Sequence, residues 1–433
     1  MPHPWQKQRL EMKGHIMLTD QPLQSQPQTH RIASIDVFRG LTMLVMLFVN
    51  DIGDIDLGHI QNAPRWLKHM PGNVDGMTLA DVIMPCFLFI VGMSIPIALE
   101  RRIAVGESLA KIGWHIVKRA MALIFIGLCM VYCCNGVDIA AIGISDAGWR
   151  ILMFLGVVMF WNRYPKAQGS KHWMFVGLRV FAGALLFYLL MVYRVEKEGT
   201  TIWMLPRWWG IIGMIGWAYL AGAFVWLVCR SRVTALLGAF GLLIALNIGL
   251  RYGALGWWNG IVHAAHGWVP SLSLGAYASM VTAGMTVASL YRSGSAASTP
   301  WSRINGTLLF GAGFGIAGLL LRQPWGIHKN GGTPSWILLS LAIACAVYAL
   351  LYWLVDVRKV TRGTVLIATA GSNTLLMYMT PYIFYSTLSI LGIDALQTHL
   401  SEGWLGVARS GVVAILLMGT TVVLTKIGVR LKV

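Results

Sequence analysis

The chain has 433 residues, 56% of them hydrophobic and 12% charged, with a formal net charge of +17. A soluble globular protein carries roughly 25% charged residues, so the composition argues against a soluble fold and for a polytopic membrane protein. Its apolar runs are continuous and of helix length, which argues against an outer-membrane barrel of short alternating strands.

Residues 1–30 are polar and rich in Gln and Pro, with no secretory signal, and read as a disordered cytoplasmic lead-in. One transmembrane domain is expected over 31–433. Twelve apolar segments follow in order: 36–52, 78–99, 113–134, 149–161, 172–193, 208–228, 233–252, 272–291, 303–321, 335–355, 365–391 and 404–428. The fourth is short, since crossing takes about 17–25 residues. The expected fold is all-α: a polytopic integral membrane helical bundle of about 12 transmembrane helices, with N- and C-termini cytoplasmic.

The charge pattern supports that orientation. Thirteen bases fall in the connectors expected inside, among them Arg101, Arg102, Lys166, Arg230 and Arg358, against seven in the opposite connectors. The +17 charge would suggest nucleic acid in a soluble protein; here it orients the chain in a lipid bilayer, and no nucleic-acid partner is expected. The opposite connectors hold most of the acids, including Asp51, Asp75 and Glu402, with His69, His263, His266 and His328. They also carry Trp66, Trp257, Trp258 and Trp268, which form either an interfacial belt or flat platforms for a carbohydrate. The 48 glycines sit mostly inside spans, where they serve close helix packing and would permit a homodimer. The six cysteines lie in or beside apolar runs, and none has metal-ligand spacing with histidine, so no metal is expected.

Ionisable groups at spans are costly, and each is a functional candidate. In SIDVFRG, Asp36 and Arg39 lie one helical turn apart. They form a helix cap and local ion pair, or Arg39 receives a phosphate-bearing ligand from the cytoplasm. TLAD (78–81) has the spacing of a capping box ahead of an apolar run. Asp81 can also orient a neighbouring histidine. His69 lies in the connector LKHMPGNVDGMTLAD, which Pro71, Gly72 and Gly76 punctuate as turns. A loop histidine is ordinarily just solvated. Here Asn50 ends the preceding span, and Asp75 and Asp81 follow, so the loop can fold until Asn50, His69 and an acid converge. Imidazole titrates near neutral pH and suits work as a base or nucleophile.

These residues carry a resemblance. RIASIDVFRGLTMLVMLFVN, then His69, then GMTLADVIMPCFLFIVGMSI resembles the transmembrane acyltransferase family of heparan-α-glucosaminide N-acetyltransferase and its bacterial relatives described as sugar transporters. The matching positions are Asp36, Phe38, Arg39, Gly40, Asn50, His69, Gly76, Thr78, Asp81, Pro85, Phe87 and Phe89. HKNGGTPSW (328–336) is similar to a later Asn-Lys-Asn element of the family, and AGSNTLLMY (370–378) to another, marking Asn373 and Tyr378. WRILMFLG (149–156) matches through Arg150. Segments 208–252 look like two additional helices, and Thr380-Pro381 stand where the family can show a histidine.

The resemblance implies acetyl transfer from cytoplasmic acetyl-CoA, a co-substrate, to the amine of a glucosamine-type sugar or glycan on the periplasmic side of a bacterial inner membrane. His69 and Asn50 match the family's catalytic positions. His69 would attack the thioester or deprotonate the sugar ammonium, Asn50 would donate to the thioester oxygen, and Asp75 or Asp81 would hold the imidazole tautomer. Arg39 with Asp36, Lys118 and Arg119 are the candidates for the CoA end, although Lys118 and Arg119 equally suit snorkelling to the membrane face. Asp51, Arg150, His328, Lys329, Asn330, Asn373 and Tyr378 are the candidates for acceptor binding. Two rivals stand beside this reading. One is a secondary transporter of amino sugars, which should not bind CoA. The other is a non-catalytic partner in an envelope-glycan pathway, in which Asn50 and His69 would be replaceable.

Overall fold

The computed structural model describes residues 32–53, 59–134, 142–197, 200–203, 210–251, 253–257, 273–292, 295, 297–360 and 362–432. The expected 1–30 lead-in and His263, His266, Trp258 and Trp268 lie outside the described residues. The main helices are α1 Ala33–Gly53, α2 Leu79–Ala104, α3 Leu109–Cys134, α4 Asp146–Trp161, α5 Ser170–Val192, α6 Gly210–Cys229 and α7 Val233–Arg251. They continue as α8 Ala278–Ala288, α9 Pro300–Leu320, α10 Pro334–Tyr352, α11 Thr364–Gly371, α12 Thr374–Ile390 and α13 Gly403–Lys426. Between α5 and α6 two three-residue strands, β1 Val195–Lys197 and β2 Thr200–Ile202, pair antiparallel with Val195 opposite Ile202.

Among the described residues, nine helices are long and apolar enough to cross a membrane. The architecture is that of a multi-pass helical membrane protein. The other three predicted apolar segments are helical but shorter or interrupted. α4 has 16 residues. The α8 segment opens as a π-helical turn, Ser273–Tyr277, and closes as a 3-10 turn, Ser289–Tyr291. The 365–391 run breaks between α11 and α12, where Asn373 leaves helical geometry at φ −134 and ψ 46. The break has a local cause. The Asn373 amide donates to Thr425 Oγ1 at 3.0 Å and to Val429 O at 2.8 Å, while its oxygen accepts Leu431 N–H at 3.2 Å. A side chain tied this way to the C-terminal tail competes with the helical ladder.

Packing runs through small residues. Every residue of α8 is buried. Gly92 of α2 lies directly against the Val281 carbonyl of α8, and Gly284 of α8 against the Phe89 carbonyl of α2, so a Cβ at either would collide with backbone. Gly40 of α1 and Gly371 of α11 make the same reciprocal approach. The first amides of α1 are capped from a distance: Ala33 N–H and Ser34 N–H donate to the Asp356 carboxylate at 3.1 and 3.0 Å. Asp356, rather than Asp36, therefore satisfies the start of that helix. Asp36 instead accepts from Arg39 at 3.1 Å, and Arg39 also donates to Ser94 Oγ of α2 at 2.6 Å.

Candidate active site

The site begins with the way α2 starts. Thr78 is the N-cap and Asp81 the third helical residue, in capping-box geometry. Asp81 Oδ2 accepts the N–H of Thr78 at 3.1 Å and of Met70 at 3.0 Å. That commitment leaves Oδ1 for His69, whose Nδ1 lies 2.8 Å away. The Asp81 side chain is 1% exposed and the His69 ring 49%. A carboxylate offers the ring only an acceptor, so Nδ1 carries the proton and Nε2 keeps its lone pair. Trp336 of α10, fully buried, donates its indole N–H to the Asp81 carbonyl at 3.2 Å and packs α10 against the start of α2.

A second loop, 322–333, closes over the first. Lys329 Nζ stands 3.0 Å from His69 Nδ1, 3.2 Å from Nε2 and 3.7 Å from Asp81 Oδ1. With Nδ1–H given to Asp81, the ammonium's hydrogen bond to the ring can go only to Nε2. Burial pushes the Lys329 ammonium below its ordinary value, against the opposing pull of Asp81. The loops are fastened beside the ring. Asp75 accepts Ile327 N–H at 2.7 Å and Arg322 Nε–H at 3.1 Å, and Gly76 N–H donates to Ile327 O at 3.1 Å. The Ile327 amide, with Arg322 behind it, holds the Asp75 carboxyl below the usual carboxylate range. From α7, buried Asn247 donates to Gly332 O at 2.7 Å and Arg251 donates to Gly331 O. Of the two acids considered as partner to the imidazole, Asp81 touches it and Asp75 ties the loops together.

The remaining candidates sort by position. His328 and Asn330 flank Lys329. Asn330 packs its amide against Gly72, and His328 Nδ1 is buried with no hydrogen-bond partner among the described residues. Asn50 is half-buried in the last turn of α1, and its side chain has no hydrogen-bond partner among the described residues. Arg39 and Asp36 sit toward the other end of α1, roughly 16 and 21 Å from Asn50 along the helix axis. Lys118 is exposed, while the Arg119 guanidinium lies 4.9 Å above the Tyr219 ring. Arg150 pairs with Asp146 within α4. Tyr378 helps line an apolar cleft with Met43, Met46, Phe87 and Leu123.

Asp51 is sealed. Tyr385 and Ser410 donate their hydroxyls to its carboxylate, and Arg409 donates to Oδ2 at 3.0 Å. The sequence reading missed Arg409, Tyr385 and Ser410. Arg409 carried a usable signal: an arginine inside the last apolar run needs a buried acid or a polar cavity.

The family model described as a domain of unknown function (DUF5009) matches residues 31–282, which take in α1, the His69 loop and α2. The chain belongs to this family. It is also 33% identical over 144 residues to heparan-alpha-glucosaminide N-acetyltransferase of Mus musculus, covering 32% of this chain and 20% of that protein. The Homo sapiens protein of the same name matches at 33% over 138 residues, or 30% and 18%. The chain therefore spans about a fifth of the length of these curated relatives. The resemblance read from the sequence is borne out. The loop that supplies Lys329 lies beyond the part matched by the DUF5009 model.

Proposed function

We propose that the protein is a membrane acetyltransferase that moves an acetyl group from cytoplasmic acetyl-CoA to the amine of a glucosamine-type sugar on the far side of the membrane. The observation that carries this reading is the His69–Asp81 contact at 2.8 Å beneath a half-exposed ring. A buried acceptor fixes the tautomer and leaves the Nε2 lone pair beside Lys329 Nζ, on a ring that is half-exposed. His69 then serves as nucleophile toward the thioester or as base toward the sugar ammonium. Asn50, with no internal partner among the described residues, donates to the thioester oxygen as charge develops, a contribution of about 2.7–4 kcal/mol in comparable oxyanion sites.

Donor and acceptor approach from opposite ends. Arg39, with Asp36, Lys118 and Arg119, meets the CoA phosphates at the inner end. Ser94, the partner of Arg39, and Asp81 share α2 and lie roughly 20 Å apart along its axis, a distance the acyl arm of CoA has to cover. His328, Lys329 and Asn330 face the acceptor, while Asp51 and Asn373, engaged by Arg409 and by the C-terminal tail, brace the helices behind the site. In this reading the bundle has twelve spans with both termini cytoplasmic, in a bacterial-type inner membrane, as one domain over 31–433.

The test is reconstitution in liposomes with acetyl-CoA and glucosamine on opposite sides. Wild type is expected to form N-acetylglucosamine and His69→Ala is not. Equal product from both would sink the reading. Passage of labelled sugar without bound CoA would favour the carrier.

A further inference from the structure

We propose that Lys329 is itself an acetylation site of this protein, taking the acetyl group from the bound thioester when no sugar amine is present. The inference rests on the acetyltransferase reading above and extends it to a residue of the chain.

The geometry is that of a reactant, with the chain's own amine beside the base. Lys329 Nζ lies 3.2 Å from His69 Nε2, the one ring nitrogen left with a lone pair once Nδ1–H is given to Asp81. A thioester carbon in attacking range, about 3–3.5 Å from a nucleophile at this spot, would meet Nε2 and Nζ together. The Lys329 side chain is 21% exposed and is hemmed in by the ring and by the 1%-exposed Asp81 carboxylate. Desolvation favours the neutral, nucleophilic amine. A site built to acetylate an amine therefore holds one permanently.

The step balances without a further reactant. The Lys329 ammonium passes a proton to His69 Nε2, and the free amine attacks the thioester carbonyl. A C–N bond forms, the C–S bond breaks, the departing thiolate takes the proton from the imidazolium, and the new amide nitrogen then gives its second proton through the ring to solvent. Acetyl-CoA and the lysine ammonium become an amide, free thiol and one proton. The amide is stable, has lost its charge beside Asp81, and fills the approach to Nε2. The donor would thus silence the site in the absence of acceptor.

The test is mass spectrometry of the detergent-solubilised full chain after incubation with isotopically labelled acetyl-CoA alone. Lys68, on the same loop as His69, and the exposed Lys166 and Lys171 serve as internal controls for uncatalysed acetylation. Label at Lys329 is expected to exceed these by about tenfold or more, as an activated nucleophile should. It should fall to their level in His69→Ala, and in His69→Gln should the alanine variant fold poorly. Glucosamine acetylation is measured on the same preparation. Transfer to sugar with Lys329 labelled no more than Lys171 would overturn this inference alone. Failure of both transfers would overturn it together with the acetyltransferase reading.

Discussion

Two carboxylates near neighbouring helix ends meet opposite fates. Asp51, in the last turn of α1, is closed in by Tyr385, Ser410 and Arg409, with Asp51 and Arg409 side chains 5% and 3% exposed. Asp81, in the first turn of α2, is just as buried, yet its partner His69 is half-open to the surroundings. The first cluster has satisfied its carboxylate and fastens α1, α12 and α13. The second spends one carboxylate oxygen on the capping of its own helix and the other on orienting a half-exposed ring whose remaining lone pair meets the Lys329 ammonium. Charge density in a membrane protein therefore does not by itself mark a reacting site. The mark is a buried, fully engaged acid whose partner stays half-exposed.

The comparison can be broken at several points. His69→Ala should lower acetyl transfer by about 10²–10⁴-fold, the usual worth of a positioned acid–base group. Its thermal unfolding in detergent should stay within about 1 kcal/mol of wild type, because the residue is a half-exposed loop side chain. Arg409→Met should do the reverse. Removing one partner of a buried pair costs about 3–5 kcal/mol of stability, and Asp51→Leu added to Arg409→Met should recover much of the loss. Stability unchanged by Arg409→Met would show that Asp51 is not sealed.

Asp81→Asn should move both readouts, since it removes an acceptor from the ring and turns an amide donor toward backbone N–H groups. Stability should fall by about 1–3 kcal/mol, alongside a loss of turnover. The smallest effect belongs to Asp75, whose folded-state carboxyl is held low by Ile327 N–H and Arg322. A depressed carboxyl stabilises above its unfolded value, about 3.9, and that contribution is lost as pH falls through the folded value. Protection factors for hydrogen exchange across 326–333 should therefore fall below about pH 4 in wild type, with a weaker pH dependence in Asp75→Asn.

The sequence could show what depends on neighbours along the chain. The apolar runs became helices, Thr78 and Asp81 formed the capping box, and the turn residues Pro71, Gly72 and Gly76 left His69 in a loop. What it could not show were partners brought together only by the fold. Lys329 reaches His69 across 260 positions, Arg409 reaches Asp51 across 358, and Asp356 caps α1 across more than 300. Lys329 was legible as a candidate residue, but not as a group beside the imidazole. The break at Asn373 was hidden for the same reason, because its cause is the C-terminal tail.

The most direct test of the central claim is an experimental map of the protein with CoA bound. The account predicts the phosphates beside Arg39 and the thiol sulfur next to His69 Nε2, close to the 3–3.5 Å or so of a reacting pair. A sulfur that stops in the inner half of the bundle, with no opening onward to the ring, would contradict it.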